Sequence, residues 1–166
     1  MFASGDQTSA QRCAALFDAI ATHHHYVGEF GMGSKMKLLT NLLVAVHNVS
    51  TAEVLTLGAK AGVDPGYLCQ VLSTTSGNSR MLQRRGPKMA ARDYSSAAGI
   101  SVELFDKDLR LIEDFARSVD CPVPLFAVTR NLYAAALSAG LGDLDSSAVH
   151  IVLQRLAGLD DQPSGE

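Results

Sequence analysis

The 166 residues include no tryptophan, only three cysteines and 6% aromatic side chains. Cys13, Cys69 and Cys121 are odd in number, lie far apart and form no CxxC pair, so neither a disulfide framework nor a zinc site is suggested. There is no excess of positive charge. A net charge of -3 and a pI near 5.9 give no field that would gather nucleic acid or an anionic membrane, so neither is expected as a partner. No uncharged apolar run reaches the roughly 18 residues of a membrane helix, and the first residues lack the order of a signal peptide. A soluble, cytoplasmic protein is expected. No internal repeat is visible, which excludes a solenoid.

What is present is a 47% apolar chain, long enough to bury roughly two-thirds of the surface its unfolded form exposes. One main core is expected. Residues 6–22 carry Ala10, Cys13, Ala14, Leu16, Phe17 and Ile20 at helical spacing behind an Asp or Thr cap. The following HHHYVGEF reads as one strand without a visible partner, as though it were the tail of a sheet-containing domain. From Gly33 to Ala61 no proline interrupts a helix of about 43 Å, apolar on nearly every face and expected to be mostly buried. Asp64-Pro65 opens a helix to Leu72, and another is expected from Ser79 to Arg85, broken by Gly86-Pro87. Ser101 caps a helix to Val119 with Val102, Phe105, Leu109, Ile112, Phe115 and Ala116 as its apolar stripe. A helix over 125–139 ends at Gly140, and Asp145 or Ser146 caps the last, to Ala157. The class is all-α, a multi-helix bundle around one long central helix with a short N-terminal α/β remnant. Residues 1–30 form the remnant, 31–159 the helical domain and 160–166 a disordered tail.

The sharpest motif is GMGSKMKLLTN, in which Gly31 and Gly33 precede a helix that presents Lys37 and, four residues on, Asn41 on one face. It is not a dinucleotide fingerprint. GxGxxG would place glycine at position 36, where Met36 stands, and the acid expected about 20 residues on would be Glu53, inside the same helix. His23, His24 and His25 are consecutive on a strand and would point to opposite faces, so no metal site is expected. Arg80, Arg84, Arg85, Lys88 and Arg92 read as a solvated basic face.

The GxGxxxKxxxN segment formed by Gly31, Gly33, Lys37 and Asn41 resembles the opening of the long C-terminal helix of β-hydroxyacid dehydrogenases of the 3-hydroxyisobutyrate dehydrogenase type. Lys107-Asp108-Leu109 and the later CPVPL match a second block in the same order, and the resemblance runs from about Gly5 to Gly158. It implies the helical fold of the 6-phosphogluconate dehydrogenase C-terminal domain and hydride transfer between a small 3-hydroxy acid and NAD or NADP. It further implies that Lys37 is the general acid/base, that Asn41 and Gly33 contact substrate and that Lys107 approaches the cofactor. Met36 and Leu38 are expected to shield Lys37 from water. The family's GxGxxG domain and its serine-glycine-glycine segment are not in this sequence, so the chain alone is expected to be inactive. The long helix implies a homodimer or higher homo-oligomer. The alternative is a noncatalytic helical domain that serves oligomerisation or pairs with a separate nucleotide-binding chain.

Overall fold

The computed structural model describes residues 1–97 and 99–159; the tail expected at 160–166 lies outside the described residues. Two compact units divide the chain, Met1–Leu42 and the part from Leu43 onward.

The first unit is a small β-α-α-β arrangement. Strand β1 (Phe2–Ala3) lies parallel to β2 (His25–Tyr26), in the register Phe2 opposite His25 and Ala3 opposite Tyr26. The lone strand expected from HHHYVGEF therefore has a partner, and it is shorter than expected, although the Val27 N–H still donates to the Ala3 carbonyl and the Gly28 carbonyl accepts from the Gly5 N–H, each at 2.9 Å. Asp6 caps helix α1 (Gln7–Arg12) by accepting from the Ser9 N–H at 2.7 Å. The single helix expected over 6–22 is split at Cys13, whose backbone departs from helical values before α2 (Ala14–Ile20) begins.

Helix α3 (Met32–Lys60) has the length expected, but its burial differs along it. No residue of its first three turns is buried, whereas Ala45, Asn48, Val49, Ala52 and Leu55 are. Buried apolar side chains recur there at helical spacing, and the outward positions carry Ser50, Glu53 and Leu57 instead. Its length and mean hydropathy of 1.4 also pass for a membrane span. Its buried half is that of a core helix, with Asn48 donating to the Tyr133 hydroxyl at 2.6 Å and to the Ser146 carbonyl at 2.9 Å.

In the second unit α4 (Pro65–Leu72) starts at the Asp64 cap and α5 (Arg80–Ala90) at the Ser79 cap. The break expected at Gly86-Pro87 does not occur. Pro87 falls in the last turn, where its missing N–H removes one bond, and Gly86 is a packing residue: a β-carbon there would lie 2.9 Å from Cys69 Sγ on α4. Helix α6 (Val102–Ser118) is capped by Ser101, α7 (Pro124–Ser138) ends before Gly140, and a 3-10 turn at Ser146–Ala148 leads into α8 (Val149–Leu156). Phe105 meets Tyr133 edge to face at 5.4 Å, in a core completed by Leu109, Ile112, Phe126 and Val149.

The basic face expected around α5 is only partly solvated. Arg85 pairs with Asp145 and donates to Ser146 Oγ at 2.8 Å, while Lys88 Nζ stands 3.8 Å from the same buried carboxylate. Sequence spacing could not show this, because Asp145 lies 60 residues from Arg85 and its burial demands a cation.

Candidate active site

Two turns of unusual backbone shape the first unit around Lys37. After β1 the chain turns through Ser4-Gly5-Asp6 with Gly5 at a φ of 124°, and after β2 it enters α3 through Gly31 at a φ of 91°. Both values lie in the region that glycine alone adopts without strain. Gly33 then allows a close approach: a β-carbon there would sit 3.1 Å from Ser4 Oγ and 3.5 Å from the Phe2 carbonyl. Helix α3 thus begins directly against the end of β1.

Lys37 lies one turn beyond Gly33, and both line an open recess of about 710 Å³ with Ser4, Asp6, Ser9, Cys13 and Phe17. Ser9 holds the Asp6 carboxyl below the ordinary carboxylate range, through its side chain first and its backbone N–H second. The recess therefore combines a lysine amine, a carboxylate and hydroxyl groups beside an aromatic ring. Such a set can hold a small polyoxygenated molecule and exchange a proton with it.

The shielding of Lys37 expected from Met36 and Leu38 is not found, since Lys37 is exposed. Adjacent helical residues point about 100° apart around the axis, so neither side chain can cover it. Asn41 follows a further turn along the same face, half-buried, and is not among the residues lining the recess. Lys107 belongs to the second unit, exposed on α6 between the buried Asp106 and Asp108. Asp106 binds Arg110 and Arg130, each at 2.8 Å, and Arg130 also reaches Glu113 at 3.3 Å. The histidine triplet does not lie on one strand as expected: only His25 sits in β2, while His24, before it, bonds Asp18 at 3.0 Å and packs on Phe17.

Ser4, Asp6, Ser9 and Cys13 were not singled out from the sequence as site residues. Their signal was available only in part, as a Ser-Gly-Asp turn that reads equally well as a helix cap.

A dinucleotide does not fit the residues of this first unit. Its pyrophosphate needs a glycine-rich turn with free backbone N–H groups at a helix start, and the space beside Gly33 is filled by Ser4.

A family model described as the NAD-binding part of NADP-dependent 3-hydroxyisobutyrate dehydrogenase matches residues 31–153. The L-threonate dehydrogenase of Cupriavidus necator is 36% identical over 150 residues, 90% of this chain and 50% of that protein. A chloroplastic glyoxylate/succinic semialdehyde reductase of Arabidopsis thaliana is 35% identical over 146 residues, 88% of this chain and 40% of that one. Among solved structures, the 3-hydroxyisobutyrate dehydrogenase of Salmonella typhimurium superposes with a TM-score of 0.83 at 32% identity, covering 90% of this chain and 52% of its own. The chain thus spans about half the length, or less, of these relatives.

Proposed function

The chain belongs to the 3-hydroxyisobutyrate dehydrogenase family, and from that premise we propose that it is the helical half of an NAD(P)-dependent hydroxyacid dehydrogenase in which Lys37 moves the proton. One observation carries this reading. The lysine expected to be catalytic stands in a recess that also holds Ser4, Asp6 and Ser9, one turn from the glycine that lets α3 abut β1. In the oxidising direction the neutral Lys37 amine takes the proton of a substrate hydroxyl; in the reducing direction its ammonium returns that proton to the carbonyl oxygen. The positive end of α3 faces the developing alkoxide and favours its negative charge. The Asn41 amide donates to a substrate oxygen, the backbone at Gly33 contacts the substrate beside Lys37, and Lys107 approaches the cofactor. A nicotinamide cofactor would supply the hydride chemistry, its phosphates held in the other half of such an enzyme rather than beside Gly33. Closure of that other half would exclude water from Lys37, the shielding that α3 itself does not provide. The substrate is a small hydroxy acid or the matching semialdehyde, the chemistry named for the relatives.

The test joins this chain to the nucleotide-binding half of the Cupriavidus necator relative and measures turnover of threonate. Lys37→Ala is expected to lower kcat by about 10²- to 10⁴-fold with cofactor affinity unchanged. Turnover near that of the parent chimera would remove Lys37 from the mechanism.

A second reading, assembly into a homodimer through the long helix, is favoured by Leu39, Leu43 and Leu57, which leave α3 with apolar side chains 49%, 54% and 68% exposed.

A further inference from the structure

We propose that the second unit binds a small carboxylate in a recess where His150, Gln154 and Arg92 meet an apolar wall of Leu55, Ala59 and Met89. The site shares no residue with the Lys37 recess and does not depend on the function assigned there.

His150 is 2% exposed, and its Nδ1 lies 2.9 Å from the Tyr94 hydroxyl. Its other ring nitrogen, Nε2, is buried and meets no hydrogen-bond partner among the described residues. Buried polar atoms are nearly always bonded, so an orphaned ring nitrogen on a residue that lines the recess calls for a partner there. With the Tyr94 hydroxyl donating to Nδ1, Nε2 carries the proton and requires an acceptor. Burial, and then the charge of Arg92, hold the imidazole in its neutral form, its pKa pushed down to about 4.

Arg92 decides the charge of that acceptor. It is the one charged residue among those lining the recess, and its backbone is held at a φ of 53°, which arginine rarely adopts. One guanidinium nitrogen donates to the Leu159 carbonyl at 3.4 Å, a long bond that leaves the other donors of the fork for an anion. Gln154 adds an amide, 7% exposed. The remaining wall is hydrocarbon, and the volume of about 250 Å³ is too small for a nucleotide. An oxyanion with a short apolar chain satisfies all of these groups together. Inorganic phosphate would meet Arg92 but leave the wall facing a hydrated ion.

The test is a titration of the full chain, labelled at histidine, with isobutyrate, followed by NMR at the imidazole resonances. Saturable movement of the His150 signals is expected, with those of His23, His24, His25 and His47 unchanged. Isobutyramide, which lacks the charge, and inorganic phosphate, which lacks the chain, should each bind at least about tenfold more weakly. Arg92→Gln changes an exposed side chain and leaves the fold intact; it should weaken isobutyrate binding by about tenfold or more, and His150→Phe by a similar factor. His150 signals that ignore isobutyrate would mean that water alone meets Nε2, and the proposal would fall. It would fall equally if isobutyramide or phosphate bound as well as isobutyrate, or if Arg92→Gln bound undiminished.

Discussion

The two units of this chain differ in where their large apolar side chains go. The buried apolar core, from Ala45 to Val152, comes wholly from the second, whereas Leu16, Ile20 and Phe30 of the first are 58%, 65% and 94% exposed. The first unit nonetheless holds Gly33, Lys37 and the recess around them. Two strands of two residues each cannot form an independently stable sheet. The residues proposed for proton transfer thus sit where the chain is least self-sufficient. That placement agrees with a chain that spans half of its relatives.

If the comparison is right, matched substitutions should act very differently in the two units. The largest effect is expected for Leu109→Ala, fully buried on α6, at about 3–5 kcal/mol by chemical denaturation, whereas Leu16→Ala on the exposed α2 should stay within about 0.5 kcal/mol. Equal losses would show that the first unit shares the cooperative core.

Acid should weaken the second unit next most strongly. His150 has a folded pKa near 4 against an ordinary value of 6.5, so between these the unfolded chain binds the extra proton. Its contribution is intact above pH 6.5 and is lost as pH falls toward 4, about 2–3 kcal/mol between pH 7 and 4.5. Denaturation curves at the two pH values check this, and His150→Phe should flatten the dependence. Gly86→Ala should follow at about 1–3 kcal/mol, because its methyl meets Cys69 Sγ at 2.9 Å; an unchanged midpoint would mean that α4 and α5 can part freely. Ser101→Ala should cost about 1 kcal/mol by removing the oxygen that accepts from the Leu104 N–H at 3.2 Å.

What could be read from the sequence followed from short-range rules. The caps at Asp64 and Ser101, the length of α3 and the glycine stop at Gly140 all lie where local hydrogen bonding and φ preference put them, whereas Asp145, expected with Ser146 as a candidate cap of the last helix, caps the 3-10 turn before it. Strand β1 escaped notice because two residues carry no periodicity, and its partner lies more than 20 residues on. The ion pair of Arg85 with Asp145 and the Tyr94–His150 bond link residues 60 and 56 positions apart, which composition cannot predict. Gly86-Pro87 misled for a different reason: the breaker rule holds for an isolated helix, while tertiary packing on Cys69 needs the glycine and holds the turn in place. The candidate lysine was legible through its motif; its exposure was not, because shielding depends on what lies across the recess.

The central claim is that this chain supplies the proton-transfer edge of a dehydrogenase while the nucleotide is gripped elsewhere. Calorimetric titration of the chain with NADH and NADPH tests it most directly. Binding too weak to saturate at millimolar cofactor is the predicted result, because no phosphate cradle is present in the first unit. Micromolar binding of either nucleotide would contradict the claim and return the cofactor grip to residues 31–153, the part that matches the family's NAD-binding description.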